Sequence, residues 1–395
     1  MQNAEPGRAR SLCKGLLISA LGMGLAVGGA VANAQPAPAE GQIITAGAQE
    51  AVAGSYIVGL KGSSAGAGDL VARYGGQITQ TYTAALQGFA VSMNEQQAKR
   101  LAADPRVAYV EQDGAAHLTG TQTNPTWGLD RIDQKALPLD KKYTYPNEGA
   151  GVTVYVVDTG TMLTHPDFGD RVKSGYDFID NDSNSSDCHG HGTHVAGTVG
   201  SSTYGVAKKV NIVGVRVLNC SGSGQNSQVV AGIDWVTKNA AKPAVLSMSL
   251  GGGANTSVDS AVRRAVQAGI TTTVASGNSN TDACNTSPAR APEAITVNAT
   301  DSNDGRASFS NYGRCTDIFA PGVSILSTKN GGGTATMSGT SMATPHVAGA
   351  AAVYLSANPS ATPAQVDTAL KNGASDNVVK NPGSGSTNKL LNVVG

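Results

Sequence analysis

Val152-Thr153-Val154-Tyr155-Val156-Val157-Asp158-Thr159-Gly160 is an apolar, β-branched run that stops at an aspartate, a hydroxyl and a glycine. A short run with no polar alternation reads as a strand buried on both faces, the pattern of a parallel sheet. Segments downstream have the same character. Val210–Leu218, Val245–Met248, Thr271–Ala275 and Ala294–Val297 read as further strands, and Gln225–Asn239, Val258–Ala268 and Pro363–Lys371 as helices. The alternation predicts an α/β fold, a parallel sheet with helices on both faces. Ligand crevices in such sheets lie beyond the strand C-termini, which is where Asp158 falls.

Two other runs give that aspartate a meaning. His189-Gly190-His191-Gly192-Thr193-His194 opens a small-residue helix. Gly339-Thr340-Ser341-Met342-Ala343-Thr344-Pro345-His346 sets a serine at the mouth of an alanine-rich stretch, Val347 to Tyr354, that reads as a buried helix. A serine hydroxyl is a poor nucleophile unless a base takes its proton. A carboxylate can orient an imidazole for that task and stabilise its cation. Taken alone, Asp158 reads as a strand-end turn residue. The chain has six histidines, His117, His165, His189, His191, His194 and His346, and three of them cluster. A metal site built from His189, His191 and His194 is the competing reading, although the spacing is not the His-Glu-x-x-His pattern of zinc proteases.

Asp158-Thr159-Gly160, His191-Gly192-Thr193-His194, Ser249-Leu250-Gly251-Gly252, Ser276-Gly277-Asn278 and Gly339-Thr340-Ser341-Met342-Ala343 follow one another in this order. Together they resemble the subtilisin-type serine proteases, which share the Asp, His, Ser chain order. Trp127-Gly128-Leu129-Asp130-Arg131-Ile132-Asp133-Gln134 and the cysteine positions narrow the resemblance to the proteinase K branch and its aqualysin-like members. It covers nearly everything from about Gly120 onward. The resemblance implies a subtilisin-like fold, with Asp158, His191 and Ser341 as the catalytic triad and Asn278 as an oxyanion donor. His194 becomes a buried hydrogen-bonded residue and His189 a loop residue. The implied substrate-binding edges are Gly222, Ser223 and Asn226 on one side and Ser249, Leu250, Gly251 and Gly252 on the other. Ala275, Ser276 and Gly277 complete the S1 walls. Relatives often have alanine where this chain has Ser276. Asn226 stands where proteinase K has a tyrosine, implying a more open S4. No acidic residue lies in the S1 walls, so a bulky apolar P1 is expected.

Calcium is likewise implied by resemblance. Asp317 with the carbonyls of Pro292 and Ala294 matches one structural site, and Asp130, Asp133, Gln134 and Asp140 match a second. Hard oxygen donors suit that ion. Lys142 departs from the oxygen ligand such enzymes can carry at the second site. No catalytic cofactor is expected.

Bulk properties agree with an exported enzyme. The 395 residues have zero formal net charge and only 14% charged residues, which argues against nucleic-acid or polybasic membrane binding. Arg8, Arg10 and Lys14 precede an apolar run from Leu16 to Val31, and Ala32-Asn33-Ala34 is a small-x-small cleavage site. Residues 1–34 therefore read as a signal peptide, against the alternative of an uncleaved anchor, and the product as secreted, with no membrane association after signal removal. Export makes disulfides plausible. Apart from Cys13, the cysteines are Cys188, Cys220, Cys284 and Cys315, which permit three pairings. The resemblance implies Cys188–Cys220 and Cys284–Cys315, each closing a loop worth roughly 3–4 kcal/mol in the chain-entropy model.

Residues 35–119 form a separate region whose folded part spans about 55–112. Ser55–Leu60, Ile78–Tyr82, Gly88–Ser92 and Val107–Gln112 read as strands. Gly68–Tyr74 and Asn94–Asp104 read as helices, the second capped by Asn94 and stopped before Pro105. The order βαββαβ is ferredoxin-like α+β. It resembles the propeptide of subtilisin relatives, which assists folding and inhibits the enzyme. Gly114 to Pro125 reads as a linker, with autocleavage near Thr119–Gly120 and a catalytic domain over 120–395. The expectation is a monomeric serine endopeptidase acting on protein and peptide substrates, with its own propeptide as inhibitor. An acyl transferase on the same fold and a non-catalytic peptide-binding scaffold are the rival readings.

Overall fold

The computed structural model describes residues 38–45, 51–63, 66–114 and 120–394. The expected signal peptide, Cys13, His117 and Thr119 lie outside them. The chain divides into two compact units, one ending at Gly114 and the other beginning at Ala115.

The first unit runs β1 (Ile43–Ile44), β2 (Ala51–Leu60), α1 (Ala67–Tyr74), β3 (Gln77–Tyr82), β4 (Gly88–Ser92), α2 (Glu95–Ala102) and β5 (Val107–Gly114). From β2 onward this is the expected βαββαβ order. The sheet order is β1-β5-β2-β4-β3, with β2 antiparallel to both neighbours. The two-residue β1 adds parallel to β5 and is too short to carry any periodicity in the sequence. Asn94 starts α2 through a reciprocal capping box: its side chain accepts from the Gln97 N–H, and the Gln97 side chain accepts from the Asn94 N–H. Tyr56, Val58, Leu70, Phe89, Leu101 and Val110 belong to the single core.

The second unit begins with β6 (Gly120–Thr123), α3 (Trp127–Arg131), β7 (Lys142–Tyr145), β8 (Thr153–Asp158), β9 (Val172–Asp177), α4 (His191–Gly200) and β10 (Asn211–Arg216). It continues with α5 (Asn226–Asn239), β11 (Ala244–Met248), β12 (Gly252–Gly253), α6 (Thr256–Gln267), β13 (Thr271–Ala275), β14 (Thr286–Ser287), β15 (Ile295–Thr300) and β16 (Ile318–Pro321). The last elements are β17 (Ile325–Thr328), β18 (Thr334–Met337), α7 (Thr340–Ala357), α8 (Pro363–Gly373), β19 (Ser375–Asp376) and β20 (Lys389–Leu390). Nine strands form one sheet in the order β19-β20-β16-β15-β13-β11-β8-β10-β9, parallel except at the β19–β20 pair. Every residue of β8 is buried. Its alternate side chains serve two cores, as strand geometry requires. Val154 and Val156 pack with α4 and α7, whereas Tyr155 and Val157 pack with α5 and α6. Each fully buried valine contributes about 1.5–3 kcal/mol relative to exposure.

The stretch read as a linker contains a strand. Gly120–Thr123 is strand β6, paired antiparallel with β7. Polar residues form a separate two-stranded ribbon here because the ladder hydrogen bonds, not apolar burial, hold it. Both disulfides, Cys188–Cys220 and Cys284–Cys315, are present in the implied pairing.

Candidate active site

Asp158 is the last residue of the central strand β8 and is fully buried. Its Oδ1 accepts from the Thr159 N–H at 2.7 Å and from His191 Nδ1 at 2.7 Å. Its Oδ2 is buried with no hydrogen-bond partner. Donation from Nδ1 fixes the imidazole tautomer and leaves Nε2 as the proton acceptor. Burial disfavours the His191 cation, but the Asp158 charge and hydrogen bond outweigh it, with help from Asp187, and the His191 pKa is raised.

The start of α4 explains how His191 is held. Asp187 accepts from the N–H groups of His189 and Gly190 with one oxygen, and from the N–H and hydroxyl of Thr193 with the other. The Thr159 hydroxyl accepts from the Gly192 N–H and donates to Asp187. Thus a side chain next to Asp158 satisfies a free donor at the helix end that carries His191. Sequence reasoning missed Asp187. Its signal was an acidic residue just before a helix start, obscured by the intervening Cys188, His189 and Gly190.

His194 is not part of that pair. It is fully buried, its Nε2 lies 3.0 Å from the carbonyls of both Ile325 and Ala335, and burial lowers its pKa to about 4. It ties α4 to the β17–β18 hairpin. His189 sits on the cleft wall beside His191. The three histidines therefore face different partners, and no metal cluster forms from them among the described residues.

Ser341 is the second residue of α7. Pro345 lies inside this helix and has no N–H to give the Ser341 carbonyl, its usual i−4 partner. The Ser249 hydroxyl donates to that carbonyl instead, at 2.9 Å. The Ser341 hydroxyl in turn donates to the Ser249 carbonyl at 3.1 Å. These reciprocal bonds tie the helix start to the strip that follows β11. Asn278 follows β13 and accepts from both the N–H and the hydroxyl of Thr340 at 2.8 Å through Oδ1. Its orientation is thereby fixed, with the amide group kept for another acceptor.

Two adjoining cavities hold every expected cleft residue. A groove of about 670 Å³ is lined by Thr159, His189, His191, Leu218, the 221–226 strip, Val229 and the 249–252 strip, among others. It includes Gly222, Ser223, Asn226, Ser249, Leu250, Gly251 and Gly252. A second cavity, of about 370 Å³, is lined by residues 250–253, Ala275, Ser276, Gly277, Asn278, Thr340 and Ser341, with Ser279, Thr286 and Asn311. None of the residues lining it is charged. Thr159, Leu218 and Asn311 are additions to the sequence-based set. Asn311 holds the cavity wall by accepting from Ser279 and Thr281 and donating to the Ser276 carbonyl.

The expected calcium positions behave differently from one another. Asp317 is already compensated: Oδ1 is 2.7 Å from Lys371 Nζ, and Oδ2 accepts from the Thr296 N–H at 2.8 Å. With an ammonium on the only carboxylate of the expected set, the Asp317, Pro292 and Ala294 group does not fit a divalent cation. Asp130, Asp133 and Asp140 share one patch, and none of them pairs with a basic side chain among the described residues. Asp133 leaves Oδ1 buried without a partner. Burial, with the neighbouring Asp140 and Asp130 charges, raises its pKa to about 6 despite the Thr144 N–H bond. Gln134 Oε1 faces the Asp140 N–H. Carboxylates without a basic partner are the donor chemistry a hard cation takes, but among the described residues no three such groups converge as a preformed metal site.

Comparison with known proteins agrees with this geometry. The subtilase family model matches residues 149–391, and the peptidase inhibitor I9 model matches residues 55–119. The chain is 58% identical over 319 residues to the extracellular serine proteinase of Thermus sp. (strain Rt41A), covering 80% of this chain and 78% of that one. It is 54% identical to alkaline serine exoprotease A of Vibrio alginolyticus, covering 80% of this chain and 60% of that longer relative. A crystal structure of a cold-adapted subtilisin-like serine proteinase superposes with a TM-score of 0.68 at 59% identity, covering 69% of this chain and all of the other. The carboxylate–imidazole pair at the C-terminal end of the central strand, the serine heading α7 and these matches lead to one conclusion: the chain belongs to the subtilase family and is a serine endopeptidase carrying an I9-type inhibitor domain ahead of its catalytic unit.

Proposed function

We propose that this chain is a secreted pre-pro-enzyme that cleaves itself near Thr119–Gly120 and then hydrolyses proteins as a monomer through an acyl-enzyme. Residues 1–34 direct export, 35–119 fold as inhibitor and folding aid, and 120–395 carry catalysis. The observation that carries the reading is the 2.7 Å Asp158–His191 contact at the end of β8, with Ser341 on an adjoining cavity wall. Among the described residues no helix is long and apolar enough to cross a membrane.

In the proposed reaction Ser341 rotates its hydroxyl from the Ser249 carbonyl toward His191 Nε2 and attacks the substrate carbonyl. His191 takes the proton and returns it to the leaving amine, while Asp158 holds the ring and offsets its charge. The Asn278 amide and the Ser341 N–H receive the oxyanion. Water then repeats the sequence in reverse to release the acid. The groove walls at 221–226 and 249–252 pair with an extended peptide backbone. The uncharged 370 Å³ cavity takes a bulky apolar P1 side chain. Calcium, held by Asp130, Asp133, Gln134 and Asp140, would compensate charge at the α3–β7 connection and takes no part in the chemistry.

The test is expression of the precursor and its Ser341→Ala variant in an exporting host, followed by intact mass and peptide hydrolysis. Only the unaltered chain should shed residues up to about Gly120, and it should prefer phenylalanine to arginine at P1. Equal maturation of both forms, with neither hydrolysing peptide, would overturn the reading.

A further inference from the structure

The surroundings of Asp317 ask what compensates its charge. This residue precedes β16 and exchanges main-chain and side-chain bonds with Thr296 of β15. Its second carboxylate oxygen meets Lys371, from the last turn of α8. Lys371 also lies 2.9 Å from the carboxylate of Asp367, one turn earlier on the same helix. The three side chains are each about 70% covered, so the pairs are only partly screened by solvent.

We infer that the ammonium of Lys371 occupies the position of a structural divalent cation at Asp317, fastening α8 to the N-terminal ends of β15 and β16 without metal. An ammonium is a compact point charge with three donors, able to serve two carboxylates at once. A divalent ion at Asp317 would have to displace it. The contrast with Asp130, Asp133 and Asp140 is direct. There three carboxylates gather with no basic partner among the described residues, while here one is built into the helix.

The inference does not depend on catalysis, so the test uses the full chain carrying Ser341→Ala to prevent self-digestion. Calcium is titrated calorimetrically, and Tm is read in chelator and in millimolar calcium. Each form is compared with and without Asp317→Asn, which subtracts calcium bound elsewhere. With Lys371 present, Asp317→Asn should leave the calcium response unchanged. Lys371→Met should lower Tm in chelator, bind one additional calcium ion, and recover roughly 3–6 °C on calcium addition. Asp317→Asn should abolish that recovery. Lys371→Gln repeats the experiment should the methionine variant fail to fold. A calcium response already dependent on Asp317 in the Lys371 form would overturn the inference. So would a Lys371→Met or Lys371→Gln chain that folds and gains no calcium.

Discussion

Asn278 shows how a single residue is prepared for a task. Two donors from Thr340 hold its carbonyl oxygen, which orients the amide before any substrate arrives. Because the proposed reaction needs that amide only as charge develops, Asn278→Ala should lower kcat about 10²–10³-fold and leave KM nearly unchanged, a magnitude carried over from subtilisin. Steady-state kinetics on an apolar peptide check this, and a proportional rise in KM with constant kcat would contradict it. The Asp158–His191 pairing and the shared cavity of Asn278 and Ser341 were legible in the sequence because each residue sits in a short motif. Asp187 and Lys371 were not. Asp187 acts through the backbone of a helix start, and Lys371 meets Asp317 only once α8 is docked on the sheet.

The helices and strands bring these residues together by close approach. At Gly192 of α4 a Cβ would stand 2.0 Å from the Gly160 carbonyl oxygen and 3.2 Å from Asp158 Cβ. Gly192→Ala must therefore push α4 away from the end of β8. We expect a loss of at least ~10-fold in kcat, with folding retained, as the Asp158–His191 geometry opens. Activity and circular dichroism on the same preparation check it, and wild-type kcat would show that α4 can shift freely. The element types were largely readable. The central strands are apolar runs, and α5, α6 and α8 lie within a few residues of their expected bounds. Strand β9 went unread because glycine and lysine interrupt it, and β17–β18 because a polar hairpin with glycines 331–333 at its turn has no apolar period.

At the scale of the molecule, stability follows the buried titrating groups. His194 and His346 are fully buried, and burial lowers both pKa values to about 4, with backbone acceptors opposing it. Between about 6.5 and 4 the unfolded chain binds their protons and the folded chain does not, so stability falls as pH falls. His191, whose pKa is raised, has the opposite sign above 6.5 and lies outside that window, whereas Asp133, raised to about 6, offsets part of it without reversing the sum of the two histidines. Each buried histidine accounts for on the order of 2–4 kcal/mol across it. The Tm of the Ser341→Ala chain should drop between pH 6.5 and 4, and His346→Gln should flatten part of the slope. An unchanged slope in that variant would contradict the assignment. Sequence alone gave the α/β class from its alternating runs. It did not give the strand order, because parallel neighbours come from distant parts of the chain.

That strand order has a temporal consequence. β8 cannot gain its neighbours β10 and β11 until long intervening segments have closed, and the same long-range ladder must tear before anything is released. Entry is slow on this account, and exit is slow to the extent that the ladder must break before the barrier is passed. The durability of such an enzyme is then a waiting time set by the height of the unfolding barrier, not a balance between folded and unfolded populations. Among proteases, which destroy whatever opens, a molecule that seldom opens outlasts one that merely prefers to be closed.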